Sequence, residues 1–392
     1  MTERKKDIQN EGEGRKRGIR RGLRRFLMLV FTLIVVLGVV LVAAYRDGTG
    51  FDVLRRHLNY SSTEKSADSK YHYDASAQNR FAMLGDSLVV MSDTSLRLIG
   101  RGKEELWSVN FQMDAPALTT GGGRAAAYDV GGTQMYVVDE KGELHTFTTD
   151  EEEPYISVTL NDSGWMAVTS EKENYKGCVS VYNAEMELVF AFHSSRRFVA
   201  DAYVSDDCKH LAAVTLGQED GSFVSSIVLY DLSQTEPVAD YTVKDGLVLA
   251  IGEQAGKIVT VSDNKLTLAG MNAEIAGEYL YSDRYLREYD LQGDGYTVLL
   301  LNRYQSGSVG KLVSIDAEGT EVAALDVNEE ILSVSAAGRY VAVLYTDSLV
   351  IYNQDLKVYA TLKGTGSARE ALVRADGSAL LISAESARLF IP

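Results

Sequence analysis

Residues 164–183 read GWMAVTSEKENYKGCVSVYN, and the fold is legible from this stretch. A turn glycine, Gly164, is followed by the apolar run Trp165-Met166-Ala167-Val168. A polar loop leads to a second run, Val179-Ser180-Val181-Tyr182, whose character alternates, and Asn183 follows it. A strand buried on both faces is near-continuously apolar, whereas a half-exposed strand alternates. The pair therefore reads as two neighbouring strands with unequal cover. Asn and Asp suit the position after the second strand because their side chains close a turn onto the backbone.

The same unit recurs in both directions from this stretch. The turn-plus-strand element returns as GDSLVVM (85–91), GRAAAY (123–128), CKHLAAV (208–214), GKIVTV (256–261), GYTVLL (295–300), GRYVAV (338–343) and GSALLI (377–382). In one copy Cys208 stands where the others carry glycine. The alternating strand keeps step as LRLI (96–99), MYVV (135–138), IVLY (227–230), LTL (266–268), LVSI (312–315), LVIY (349–352) and RLFI (388–391). Eight copies spaced roughly 38 to 48 residues apart match the period of propeller blades. A lone blade has two apolar faces and gains its core only by stacking in a ring. A β-sandwich gives no reason for eight registered copies, and a helical solenoid requires a 3.6-residue period that is absent here.

The expected fold is thus all-β, an eight-bladed β-propeller over 70–392; seven blades follow if the first or second copy is degenerate. The chain ends just after the third strand of the eighth copy, so the ring needs a donor for that blade's outer strand. Residues 70–75 (KYHYDA) are the natural candidate. Four prolines against 34 glycines suit short strands joined by tight turns.

The N-terminal region is of a different kind. Residues 1–25 carry ten Lys/Arg against four Asp/Glu, about +6, so with a net charge of −16 overall about −22 falls on residues 26–392. Phe26 to Tyr45 is a run of twenty residues without a charge. As a helix it would span about 30 Å, the thickness of a hydrocarbon core. Arg20, Arg21, Arg24 and Arg25 precede it, which places that end in the cytoplasm. The run exceeds the length of a usual signal-peptide core, so an uncleaved anchor is favoured over a cleaved signal. The expected layout is a basic cytoplasmic tail (1–25), a transmembrane helix (26–45), a juxtamembrane linker (46–69) and an extracytoplasmic propeller (70–392). Phe51 to Leu58 could add two turns of juxtamembrane helix, with the linker reading preferred.

A search for chemistry gives no catalytic, cofactor-binding or metal-ligating residues. His57, His72, His145, His193 and His210 are scattered without ligand spacing, and two cysteines cannot complete a zinc set. Cys178 and Cys208 fall at opposite ends of the strands, too far apart for a disulfide. Neither a GxSxG elbow nor an HExxH pair occurs. Gly121 to Gly123 lacks a following lysine and reads as blade-turn chemistry rather than a phosphate cradle. Asp150-Glu151-Glu152-Glu153 reads as an interblade loop, and Asp206-Asp207 as a further carboxylate pair. Asn161-Asp162-Ser163-Gly164-Trp165 departs from a sialidase Asp-box in its serine and tryptophan. The acidic body makes nucleic acid a poor partner.

The repeats resemble WD40-like and quinoprotein-like propeller repeats in period and turn placement. They lack the Gly-His and Trp-Asp signatures of the first, and the adjacent cysteines that quinone-dependent dehydrogenases carry. The tail through Arg25, the run Phe26 to Tyr45, the Phe51-to-Tyr60 segment with Arg55 and Arg56, and the repeats together resemble a family of bacterial proteins, mostly Gram-positive. In that family a single-pass anchor precedes a propeller of unknown function. The functional expectation is a membrane-tethered scaffold that binds a protein or peptide in the cell envelope, its 22 tyrosines able to serve as interface anchors. It has no recognisable catalytic set and no cofactor. The alternative is a carbohydrate-active or other hydrolase with its site in the propeller channel.

Overall fold

The computed structural model describes residues 27–40, 52, 56 and 70–392 other than 220 and 245. The chain divides into two units, Met1–Thr63 and Glu64–Pro392. In the first, residues 27–40 form an α-helix inside the apolar run. The remaining residues of the expected 26–45 span lie outside those described. Among the described residues, no helix is long and apolar enough to cross a membrane. Of the segment 51–58, only residues 52 and 56 are described, and both are helical.

The second unit is an eight-bladed β-propeller. Its blades are four-stranded antiparallel sheets over 80–110, 116–148, 155–193, 198–243, 248–280, 285–327 and 331–363, and an eighth over 370–390 completed by Lys70–His72. The expected closing segment 70–75 supplies the outermost strand of the last blade, with Lys70 opposite Arg388, Tyr71 opposite Ala387 and His72 opposite Ser386. It is shorter than expected, because the chain turns towards blade 1 once Tyr73 has donated its backbone N–H to the Glu385 carbonyl. Tyr71 and Tyr73 are buried, and the Tyr73 hydroxyl donates to the Ser383 carbonyl at 2.8 Å.

Burial follows the pattern of the sequence. The second strand of a blade is almost wholly enclosed, as in Ser87–Met91, Tyr296–Asn302 and Ala379–Ile382. The outermost strand alternates between exposed and half-buried, as in Glu105–Asn110 and Glu321–Val327. The core consists of eight apolar clusters, each between two adjacent blades, around the whole ring. The one between blades 8 and 1 joins Tyr71 and Tyr73 to Leu88, Val90, Leu380 and Ile382. No blade has a core of its own, so each depends on both neighbours.

The turn between the innermost and second strands needs a left-handed residue. Gly85, Gly164, Gly256, Gly295 and Gly377 take it at φ between 53° and 80°, and Cys208 takes it at φ 58°. The turn after the third strand is closed as expected by Asp or Asn. The Asn183 Oδ1 accepts from the Glu185 and Glu187 amides, and the Asp316 Oδ1 from those of Glu318 and Thr320. The third–fourth strand pairing breaks register just before this turn in the first seven blades, as between Val181 and Tyr182, a bulge that increases the local twist.

Candidate functional site

The ring has two chemically different faces. All the innermost strands run in one direction and end at the turns carrying the left-handed residue. On that face the channel opens into a cavity of about 840 Å³ lined by seven blades. The opposite face carries the interblade connections and the loops between second and third strands.

Innermost strands expose one backbone edge to the channel, and unpaired edge N–H groups need partners. Side chains from the preceding blade supply them. On blade 6, Glu288 and Asp290 are two residues apart and so share a face. The Val334 amide donates to Glu288 Oε1 at 2.9 Å, and the Ala336 amide to Asp290 Oδ2 at 2.8 Å. The next interface repeats the device with hydroxyls. The Ala371 amide donates to Ser333 Oγ at 3.1 Å, and the Val373 amide to Ser335 Oγ at 3.2 Å. Burial raises the Glu288 carboxyl to about 7, and the Asp290 carboxyl to about 6, against the lowering by these amides. Asp201 on blade 4 is likewise raised by burial to about 6, although Ser157 Oγ donates to it at 2.6 Å.

At the mouth, carboxylates from four blades line the wall. Asp162, Asp206, Glu253, Asp290 and Asp294 line the cavity, with Arg124 the lone Lys or Arg among its lining residues. Three of the acids are joined turn to turn. The Asp162 amide donates to Asp206 Oδ1 at 3.3 Å, and the Asp206 amide to Glu253 Oε2 at 2.8 Å. The Tyr203 hydroxyl donates to Asp206 Oδ1 at 3.1 Å. Desolvation is the first cause, and the neighbouring Asp206 charge a further one, of the raised Asp162 and Glu253 carboxyls. Arg124 donates across the blade boundary to the Gly164 carbonyl at 2.7 Å. Among the described residues, no group of three or more His, Cys, Asp or Glu is placed to hold a metal ion.

The residues singled out from sequence are distributed as follows. His72, His145, His193 and His210 lie in four different blades, and His57 is outside the described residues. Cys178 begins a third strand on one face, Cys208 occupies a turn on the other, and both thiols are free. Residues 150–153 form the connection between blades 2 and 3, where Glu153 pairs with Lys172. In the glycine run 121–123, a Cβ on Gly121 would lie 2.4 Å from the Leu160 carbonyl oxygen, so close blade packing is what requires glycine there. The Asp-box-like segment places Asp162 at the cavity. That Asp162, Asp206, Glu253, Asp290 and Asp294 line one cavity went unread in the sequence. For all but Asp290 the signal is an acidic side chain one to three positions before the turn residue, visible only when the copies are aligned.

The opposite face exposes several large apolar side chains on blades 4 to 6. Phe198 opens the innermost strand of blade 4 and is 60 % exposed, with Lys176 Nζ 5.0 Å from its ring centroid. The second and third strands of blade 4, His210–Glu219 and Ser222–Asp231, form a hairpin longer than those of the other blades. Near its tip Phe223 is 74 % exposed. Leu249, Leu280, Tyr285 and Tyr304 are also exposed at strand ends and loops of this face.

Solved structures match the ring at the level of fold. The C-terminal WD40 domain of Sif2 aligns with a TM-score of 0.57 at 13 % identity, covering 82 % of this chain and 99 % of that one. BamB from Moraxella catarrhalis aligns at 0.50 and 11 %, covering 82 % and 100 %. The computationally designed Ika8 protein aligns at 0.55 and 10 %, covering 83 % and 98 %. No curated protein matches the sequence. Residues 56–370 match the model of a family of unknown function (DUF5711), spanning all but the last strands of the propeller, and the chain belongs to that family.

Proposed function

We propose that this chain is a membrane-tethered scaffold whose extracytoplasmic propeller binds a protein or peptide of the cell envelope through the aromatic face of blades 4 to 6. The observation carrying this reading is the group of exposed side chains Phe198, Phe223, Leu249, Leu280, Tyr285 and Tyr304 on consecutive blades of one face. Contiguous apolar surface on a folded domain marks an interaction site, and aromatic residues anchor such interfaces. The basic tail, the charge-free run Phe26 to Tyr45 and the likeness to anchored Gram-positive-type proteins support the tether. Position-specific photocrosslinking of the full-length protein in membranes tests it. A crosslinker at Phe223 should capture one defined protein partner, and one at Glu140, on the other face, should not. Absence of a defined product from Phe223, Phe198 and Tyr304 alike would end this reading.

A second reading, hydrolysis within the channel, draws on the five carboxylates at its mouth. Glycoside hydrolysis needs two carboxyl groups flanking one bond at about 5–9.5 Å. Glu253 and Asp290 are engaged by neighbouring backbone amides, which favours a structural role for them. Turnover of a glycan substrate abolished by Asp162→Asn would promote the second reading over the first.

A further inference from the structure

We propose that the seam between blades 6 and 7 binds a small zwitterion with an apolar side chain, an amino acid or a short peptide with free ends. The site is a cavity of about 420 Å³ on the face that carries the interblade connections. That volume lies in the range of small-molecule pockets. The apolar part of its lining is the end of the blade 6–7 core, where Leu300, Val327 and Ile331 are buried. A polar part comes from the connection between the second and third strands of blade 6, through Gln305, Ser306 and Ser308. Asn302 ties that connection down by donating from Nδ2 to the Gly307 carbonyl at 2.9 Å. Arg287 and Glu330 bring one charge of each sign to the same lining.

Three departures from the repeat coincide at this cavity. The innermost strand carries a bulge at the same place in blades 3 to 7, and its extra residue is Ile156, Ala200, Leu249, Arg287 and Leu332 in turn. A bulge re-aims the side chain it carries, and Arg287 is the one charged member of this set. Two places before the bulge stand Pro154, Phe198, Leu247, Tyr285 and Glu330, and here Glu330 is the one charged member. The third departure is length. Residues 303–309 join the second and third strands of blade 6, against two residues in each neighbouring blade. Neither Arg287 nor Glu330 forms a side-chain ion pair or hydrogen bond, with the other or with any further described residue. Glu288, beside Arg287 in the chain, is engaged by the Val334 amide of blade 7. The guanidinium of Arg287 is a planar fork matched to a carboxylate, and the Glu330 carboxylate accepts from an ammonium. The three buried aliphatic residues take an apolar side chain. A ligand with both charges pairs both residues, whereas a neutral apolar group leaves both unpaired. The pocket adjoins the surface proposed to bind a partner but takes a small molecule, so it does not rest on that reading.

The test is calorimetric titration of the full-length protein in detergent with L-phenylalanine and, separately, with L-leucyl-L-leucine. A third titrant, N-acetyl-L-phenylalaninamide, keeps the ring and lacks both charges. Binding of at least one zwitterion, at one equivalent and weakened by salt, is expected. The blocked compound should bind at least about tenfold more weakly, as the loss of charge-assisted hydrogen bonds requires. Tighter binding of phenylalanine indicates an amino-acid site, and tighter binding of the dipeptide a site for peptide ends. Arg287→Leu and Glu330→Leu each install the residue that blade 5 carries at the equivalent position, so an unchanged melting temperature is expected. Each should weaken binding at least about tenfold. Should either melt lower than wild type, Arg287→Gln and Glu330→Gln remove the charge with less change of shape and carry the same expectation. Failure of both zwitterions to bind, equal binding of the blocked compound, or wild-type binding by a folded variant at either position would overturn the proposal.

Discussion

Replacing Glu288 with glutamine removes a charge from the channel wall and retains the oxygen that accepts the Val334 amide at 2.9 Å. The folded carboxyl titrates at about 7 rather than its ordinary 4.5, with burial the largest cause. Between those two values the folded state holds a proton that the unfolded chain has lost. The group's stabilising contribution is therefore complete below pH 4.5 and is lost as pH rises through about 7. At about 1.4 kcal/mol for each pH unit of that gap, the full penalty above pH 7 is roughly 3.5 kcal/mol, an upper limit because the channel admits water. Glu288→Gln should be more stable than wild type at pH 8 by up to that amount, and close to it at pH 4.5. Urea unfolding followed by the fluorescence of Trp107 and Trp165 at the two pH values reads the difference directly. A variant less stable than wild type at pH 8, or a difference independent of pH, would refute the reasoning. The first result would mean that the charge itself is needed to hold the Val334 amide. The second would mean that the carboxyl titrates normally. Asp201 and Asp290, both raised to about 6, add pH dependence of the same sign in wild type.

Further predictions concern the frame of the ring. Cys208 holds a left-handed turn with φ 58° where the equivalent turns use glycine. Cys208→Gly should relieve about 1 kcal/mol of backbone strain, seen as a rise in melting temperature, with a fall refuting the account. The double change Ser333→Ala/Ser335→Ala strips the acceptors from the Ala371 and Val373 amides, and should cost about 1–3 kcal/mol for each, measured by urea unfolding. Deleting residues 70–75 removes the outermost strand of blade 8 together with Tyr71 and Tyr73 from the closing core. Such a chain should aggregate on size-exclusion chromatography through the exposed edge of Ser386–Phe390. A monodisperse, cooperatively melting product would show that the ring does not depend on this strand.

Much of the fold was legible because the repeat is written in local chemistry. The turn glycines at 85, 164 and 256, the enclosed runs after them and the Asp or Asn after the third strand each report a constraint met within a few residues. Even the odd copy at Cys208 could be placed by its register with the others. The end of the chain after a third strand left one strand of the ring to be found, and the polar-aromatic segment at 70 supplied it. The three-residue length of that strand was not legible, because it depends on where Tyr73 leaves the edge to reach blade 1.

The candidate sites are of the other kind. Asp162 and Glu253 lie in different blades, and only closure of the ring brings them to one mouth. In the sequence each is one more surface acid in an acidic chain. Glu288 and Ser333 read as ordinary strand residues until the neighbouring edge shows which amides they satisfy. Phe198 and Phe223 carry no sequence signal of their own, and their exposure on one face follows from the long blade 4 hairpin and from the direction of the strands. By itself the sequence determined the repeat period, turn geometry, interblade packing and the segment that closes the ring, because each is set by side-chain pattern within one repeat, while the choice between seven and eight blades was left to the structure. Only the tertiary structure decided which acids share a cavity and which aromatics share a face, because those relations join residues in different repeats through the curvature of the ring.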